Sequence, residues 1–331
     1  MKTFWKVFIV SFIFFFIAIF LGSYSYLKSN ENRLRSNISD GESKIEKKYN
    51  IEEQTANIKT YSSLSEAFKK SNRLNVILLG MDDARTDTII FATFDPISKQ
   101  VNAISIPRDT YVHRKGYNRG EQRKINAIYG DHGVEGVKKA VSYILGGVPI
   151  HHYIIMDYEG VENIINSIGG VEVMVPFHMK YKDPTANPPL NIDIKEGKQV
   201  LNGKKSLEFL RYRKGNNNGS GYIDGDLGRI RSQQQFLQSF IHKTLSYRLP
   251  VIIKKGFDYI KTDIKLWEGI NYSRKVIDMK SDDFIFMTLP GKAELKKYDG
   301  KILSYYIFNS KEIKKLLEDI YNVRKTSVEN P

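Results

Sequence analysis

The chain has 331 residues, 41% of them hydrophobic, no cysteine, and 51 basic against 37 acidic side chains, for a net charge of +14. That content supplies a sizeable core for one large domain or two ordinary ones, and it excludes overall disorder, disulfides and thiolate metal sites. The excess positive charge fits anionic lipid head groups, an anionic wall polymer or a pyrophosphate.

Residues 1–4 form a short tail ahead of the run Trp5–Leu27, whose only charge is Lys6. A bilayer core of about 30 Å takes about 20 apolar residues in a helix, so residues 5–27 are expected to span it as an uncleaved signal anchor. Lys2 and Lys6 hold the N-terminus in the cytoplasm by the positive-inside rule, leaving everything after the span extracellular at the cell membrane, where nucleic acid is not a partner. A cleaved signal peptide is the rival reading, but no clear A-x-A site closes the run. Residues 28–70 are highly charged and lack an apolar stripe, as a juxtamembrane stalk would be, with SLSEAFKK at 63–70 as a short helix. The extracellular domain is expected over 71–325.

That domain opens with three strand-length apolar runs, NVILLG, TIIFATFD and QVNAISI. Val134, Val137, Val141, Ile144 and Leu145 follow at helical spacing, ended by Gly146-Gly147. HYIIMDY reads as a strand, Tyr158–Ile168 as a helix closed by Gly169-Gly170, and VEVMV at 171–175 as a strand. This alternation predicts a three-layer α/β/α sandwich around a central mixed sheet, downstream of one N-terminal transmembrane helix. Residues 176–200 carry four of the ten prolines and read as loops with short strands. Helices are expected over GKKSLEFLRYR and about 227–246, joined by the loop KGNNNGSGYIDGD, which would suit a lid. Beyond residue 250 the pattern weakens to helices near 251–261 and 310–322 and a strand at 284–289.

Cations dominate the candidate chemistry. Asp82 and Asp83 follow the first strand and Asp87 opens the second, so a short turn brings the carboxylates together; two hard oxygen donors completed by phosphate and water suit Mg²⁺. Arg108 ends the third strand near them, although an ordinary ion pair with Asp109 or Asp83 would also explain it. Lys124 sits before a helix, where it could reach a phosphate. Arg211 and Arg213 flank Tyr212: in an extended segment they would grip one pyrophosphate, whereas in a helix they would diverge. Asp226, Arg229 and Gln233 share one helical face.

The pieces LLGMD, RTDT, SIPRD, KINAIY, LRYR and DLGRIRSQQ occur in this order over roughly residues 74–246. Together they resemble the LytR-CpsA-Psr family of bacterial cell-wall enzymes. The resemblance implies transfer of an anionic glycopolymer, of wall teichoic acid or capsule type, from an undecaprenyl-pyrophosphate carrier to peptidoglycan, with the C6 hydroxyl of N-acetylmuramic acid as acceptor. It also implies that Asp82 and Asp87 hold Mg²⁺, with Mn²⁺ as a substitute, and that Arg85 and Arg108 lie near the pyrophosphate. Arg211, Arg213, Arg229 and Gln233 match the cluster that holds the head group. Two departures stand out: the loop between Asp82 and Arg85 is short, and Ser232 precedes Gln233-Gln234 where many members carry arginine, with Arg231 one place earlier.

In such a reaction the hydroxyl attacks the phosphorus next to the sugar and polyprenyl phosphate leaves, so Asp87 and Arg108 are the expected catalytic residues, with Asp109 as the next candidate base. The isoprenoid tail needs an apolar slot, for which Val141, Ile144, Leu145, Ile164, Ile165, Phe236, Leu237 and Phe240 are candidate walls as well as ordinary core. The six histidines show no metal-ligand spacing. Hydrolysis of the same lipid pyrophosphate, a non-catalytic regulator of transcription and a glycopolymer-binding scaffold are the competing readings.

Overall fold

Alternation along each strand decides which side chains meet on either face of the sheet. The computed structural model describes residues 59–324 except 186–188, 217–220, 224–225, 246–248, 299 and the side chain of Asp226. The tail, the expected span, the stalk up to residue 58 and part of the Gly/Asn-rich loop lie outside the described residues. Among the described residues no helix is long and apolar enough to cross a membrane.

The first elements in the chain are α1 (Leu64–Lys70), β1 (Leu74–Asp82), β2 (Arg85–Asp95), β3 (Gln100–Ser105), α2 (Ile128–Ile144), β4 (His152–Met156) and α3 (Tyr158–Ser167). They are followed by β5 (Val171–Val175), β6 (Met179–Asp183), β7 (Leu190–Ile194), β8 (Gly197–Leu201), α4 (Gly203–Arg211) and α5 (Asp226–Thr244). The rest comprises α6 (Leu249–Gly256), β9 (Lys261–Thr262), α7 (Leu266–Val276), β10 (Phe284–Thr288), β11 (Gly291–Tyr298), β12 (Lys301–Phe308) and α8 (Ser310–Ile320).

The central sheet has the order β10-β3-β2-β1-β4-β9. β1, β2 and β3 are antiparallel neighbours, whereas β4 runs parallel to β1 and β10 parallel to β3, so the sheet is mixed. On one face Ile77, Leu79, Ile89, Phe91 and Ile104 pack with Val137, Val141 and Ile144 of α2 and with Ile313 and Leu317 of α8. The other face turns Leu78, Ile90 and Ile154 toward α3, α4 and α5. There a second core joins Ile165, Phe209 and Phe236 to Val171, Val173, Ile192 and Leu201 of the small sheets β5/β8 and β6/β7. Each fully buried side chain of this size contributes roughly 1.5–3 kcal/mol, so the two cores hold the helices on both faces.

Side-chain caps fix the helix starts that matter for the site. Asp157 Oδ1 accepts from the Gly160 amide at 2.8 Å ahead of α3, and Asn202 Oδ1 accepts from the Lys205 amide at 2.9 Å ahead of α4. Gly169 and Gly170, with φ of 75° and 82°, end α3 in a conformation that a Cβ disfavours.

Three expectations change. α1 belongs to the domain and not to a stalk: Ala67 is fully buried, Leu64 and Phe68 pack on the core, and the Tyr61 amide bonds the Asn322 carbonyl at 3.1 Å. α2 begins at Ile128, ahead of the helical spacing that starts at Val134, and kinks at Gly133, whose φ is 57°. The hairpin β11/β12 and helix α7 were not foreseen; β11 is largely exposed and α7 mostly half-buried, so their apolar residues carry little periodic signal.

Candidate active site

Several segments converge at one end of the central sheet. β1 and β4 are parallel, with Gly80 opposite Met156, so Asp82 and the pair Asp157-Tyr158 emerge beyond the same carboxyl end. β2 begins and β3 finishes there because each is antiparallel to its neighbour, which delivers Asp87 and Arg108. Ligands of open α/β sheets bind outside the carboxyl ends of the parallel strands.

The turn from β1 to β2 is tight. Asp82 faces Arg85 across it, and Asp83 adopts φ 57°, a left-handed conformation that short polar side chains tolerate. Gly80 pairs with Thr88 but Met81 pairs with Thr86, which leaves Asp87 as the extra residue of a β-bulge. Bulges re-aim side chains, and here Asp87 and Thr88, though consecutive, both line one cavity.

Charge is concentrated around Asp87. Its Oδ1 accepts a hydrogen bond from Arg108 Nη1 at 2.7 Å, and its Oδ2 lies 4.0 Å from Nη1 of Arg229. Arg229 is buried on α5, and one turn later Gln233 lines the same cavity while donating Nε2 to the Leu210 carbonyl at 3.1 Å. Arg211, the last residue of α4, places its guanidinium 4.2 Å from the centre of the Tyr158 ring. Burial, reinforced by Asp82 and Asp87 and opposed by Arg211, pushes the Tyr158 phenol well above its ordinary value, so it remains a donor at neutral pH.

Asp87, Thr88, Tyr158, Arg211, Arg229 and Gln233 thus line a cavity of about 70 Å³, beside apolar walls from Met81, Val161 and Leu207. Gly80, Thr88, Met156, Val161, Leu210 and Gln233 also line an adjoining apolar cavity of about 190 Å³. Its remaining walls include Leu78, Ile90 and Ile154 of the sheet, Ile164 and Ile165 of α3, and Phe236, Leu237 and Phe240 of α5. A cationic mouth and an apolar slot therefore share a boundary.

The structure brings Asp82, Asp87, Arg108, Arg211, Arg229 and Gln233 together at this end of the sheet and leaves other predicted residues apart. Arg85 is exposed beyond the turn and is not among the cavity walls. Arg211 is helical, so the extended alternation that would pair it with Arg213 does not hold; buried Tyr212 separates the two, and Arg213 is not among the cavity walls. Lys124 Nζ is held by Asp109 Oδ1 and Glu121 Oε2, both at 3.1 Å, instead of facing the cavity. Val141, Ile144 and Leu145 are corrected outright as slot walls: they are buried in the core on the opposite face of the sheet. Helical spacing identifies a buried face but not which layer buries it. The side chain of Asp226 lies outside the described residues.

Tyr158, Thr88 and Gly80 were missed as site residues. A signal existed for Tyr158: HYIIM reads as a strand, and the residues that follow a buried strand and open a helix occupy the carboxyl end of the sheet. For a divalent cation, Asp82 at the end of β1 and Asp87 in the cavity wall stand at the same end of the sheet. Among the described residues no group of three or more histidines or carboxylates could hold a metal alone. The donor set therefore fits Mg²⁺ only as one that takes its remaining oxygens from phosphate and water, which is the usual manner of that ion.

Such a fold and site define a class: an α/β/α domain with an arginine-lined cavity at one end of its sheet and an apolar cavity adjoining it between sheet and helices. The chain belongs to the LytR_cpsA_psr family, whose model matches residues 33–321. It is 28% identical over 265 residues to the polyisoprenyl-teichoic acid–peptidoglycan teichoic acid transferase TagV of Bacillus subtilis, covering 76% of this chain and 65% of that protein. The corresponding transferase TagU of Enterococcus faecalis is 27% identical over 291 residues, with coverage of 81% and 87%. The regulatory protein MsrR of Staphylococcus aureus is 31% identical over 192 residues, 56% of this chain and 54% of that one. The match thus spans about half to two thirds of the length of TagV and MsrR. The crystal structure of B. subtilis TagV superposes with a TM-score of 0.63 at 26% identity, covering 77% of this chain and all of that one.

Proposed function

We propose that this protein is a phosphotransferase that moves an anionic glycopolymer, of wall teichoic acid or capsule type, from undecaprenyl pyrophosphate to the C6 hydroxyl of N-acetylmuramic acid in peptidoglycan. The observation that carries this reading is the shared boundary between the apolar cavity and the cavity lined by Asp87, Arg211 and Arg229. A polyprenyl diphosphate has this duality, with a long hydrocarbon tail next to four or so anionic oxygens. The names of TagV and TagU support the transfer to peptidoglycan.

In the reaction the acceptor hydroxyl oxygen forms a bond to the phosphorus that carries the sugar. The bond from that phosphorus to the bridging oxygen breaks, polyprenyl phosphate leaves, and the hydroxyl proton passes to a carboxylate or to solvent. The product is a phosphodiester. Guanidinium forks of Arg211 and Arg229 neutralise charge that grows on the phosphate oxygens. Arg108 holds Asp87 in place and Arg229 stands close to the same carboxylate, so positioning and charge supply most of the rate. Asp82 and Asp87 are the residues that would hold Mg²⁺, which when bound supplies further neutralisation of the diphosphate. Leu78, Ile90, Ile154 and Phe236 receive the first isoprene units. In this reading residues 5–27 anchor the chain so that the domain works at the outer face of the cell membrane, where lipid carrier and peptidoglycan meet.

The test uses the full chain in detergent, a lipid-linked disaccharide donor and peptidoglycan oligomers, with and without EDTA. Glycan joined to peptidoglycan through a phosphodiester is the expected product. Release of free sugar phosphate without coupling would assign hydrolysis instead.

A further inference from the structure

The hairpin β11/β12 leaves the central sheet at the end that holds the candidate site. β10 runs parallel to β3, the Leu289 amide bonds the Ser105 carbonyl at 2.9 Å, and β11 starts at Gly291. On its return β12 lies against the segment that follows Arg108, where the Tyr306 amide bonds the Asp109 carbonyl at 2.9 Å. Alternation gives the hairpin two unlike faces. Tyr298, Leu303 and Tyr305 belong to the inner one. The Tyr305 hydroxyl donates to the Gly120 carbonyl at 3.0 Å, the Arg123 guanidinium lies 4.7 Å from the centre of the Tyr298 ring, and a Cβ at Gly120 would collide with Leu303. The outer face, Ala293, Leu295, Lys297, Ile302 and Ser304, is exposed throughout and holds no acid. Leu295 pairs with Ser304 and Lys297 with Ile302, so Leu295 and Ile302 are diagonal neighbours, 74% and 71% exposed. One exposed aliphatic side chain is ordinary, but the free face of a hairpin packed on its other side is normally polar.

Charge selects the occupant. Residues 291–308 carry Lys292, Lys296, Lys297 and Lys301 against Glu294 and Asp299. Glu294, opposite Tyr305, is already held by Lys292 Nζ at 3.1 Å and Lys296 Nζ at 3.6 Å. We infer that the outer face of β11/β12 is a membrane contact, with Leu295 and Ile302 entering the interfacial layer of a bilayer and the lysines meeting anionic lipid head groups. This rests on the proposed transferase reading: a polyprenyl carrier stays in its bilayer while its head reaches the cavity, so a membrane surface has to come close to this end of the sheet. Apolar area and lysines bind such a surface together, each lysine contributing about fivefold.

The chain has no cysteine, so a single introduced one carries a polarity-sensitive fluorophore without background. The full chain is labelled at Ser304→Cys on the outer face, at Tyr143→Cys on the exposed side of α2, or at Phe14→Cys in the expected anchor. Each is placed in nanodiscs of phosphatidylcholine, with or without phosphatidylglycerol, that contain nitroxide lipids as quenchers. The expected result is quenching and a blue shift at Ser304→Cys in anionic discs, lost in phosphatidylcholine alone and absent at Tyr143→Cys. Lys297→Gln with Lys301→Gln should lower the docked-to-free ratio roughly 25-fold, and Leu295→Ser with Ile302→Ser should abolish the signal. An unquenched Ser304→Cys label in discs that quench Phe14→Cys would overturn the inference. Equal quenching in both lipid mixtures would overturn the choice of an anionic surface, and energy transfer between labelled copies without quenching would assign the face to a second copy. Glycan transfer is assayed separately, so failure of the transferase reading appears as missing product whatever the label reports.

Discussion

Asp87 and Arg229 come from distant parts of the chain, one from a bulge in a central strand and the other from the second-layer helix α5, yet the guanidinium approaches the carboxylate to 4.0 Å. That pairing sets a counter-charge near a buried guanidinium beside an apolar slot, which lowers the cost of burying it. The anionic head of a ligand would add to, or displace, the same counter-charge.

Arg229→Met is therefore expected to lower the rate of glycan transfer about 10²-fold or more, the usual cost of removing a pre-aimed charge donor. Arg229→Lys should recover little, because a point charge lacks the planar fork that grips two phosphate oxygens. Steady-state transfer rates check both variants, and near-normal activity in Arg229→Lys would show that charge alone suffices.

The two faces of the sheet predict opposite phenotypes for superficially similar residues. Ile144→Ala truncates the core below the sheet and should cost about 2–5 kcal/mol of stability while leaving the KM for a polyprenyl donor unchanged in protein that folds. Phe240→Ala, in the slot wall, should raise that KM with a smaller loss of stability. Chemical denaturation and donor titration separate the two.

Much of this arrangement was legible in the sequence. The strand runs, the glycine pairs after α2 and α3 and the ordered motifs gave the α/β/α layers and brought Asp87, Arg108, Arg211 and Arg229 to one site. What was not legible depends on register and on the third dimension. One residue of slip between Gly80 and Met81 aims Asp87 into the cavity, and no composition signal marks it. Likewise Val141 and Ile165 have the same helical spacing, but one faces the core shared with α8 and the other the slot. The alternation of Arg211 and Arg213 misled because α4 continues through Arg211.

Lys124 offers a test of the structural alternative to phosphate binding. Held at 3.1 Å by both Asp109 and Glu121 and largely shielded from solvent, it balances two carboxylates beside the segment that carries Arg108. Lys124→Met should cost about 1–3 kcal/mol, since the partly buried Asp109 side chain would lose its partner. Binding of farnesyl diphosphate should change little. A large loss of diphosphate affinity with unchanged stability would restore the lysine to the site.

A pH dependence follows from Glu66 in α1, whose carboxyl is lowered from 4.5 to about 2, first by the hydrogen bond from Lys70 and then by those from Ser62. A carboxyl depressed in the folded state binds its proton more readily when unfolded, so its contribution is fully present above the unfolded value and is lost as pH falls through the folded one. The difference in thermal midpoint between wild type and Glu66→Gln should hence be constant above about pH 5.5 and shrink steadily below 4.5. A difference that grows on acidification would contradict the assignment.

The most direct measurement of the central claim is a crystal structure of the protein with a short prenyl diphosphate and Mn²⁺, using the metal's anomalous signal. The account predicts diphosphate oxygens within hydrogen-bond reach of Arg211 and Arg229, an anomalous peak about 2.1 Å from oxygens of Asp82 and Asp87, and the prenyl chain between Leu78 and Phe236. A diphosphate bound elsewhere, or a prenyl chain lying outside the cavity between sheet and α5, would contradict it.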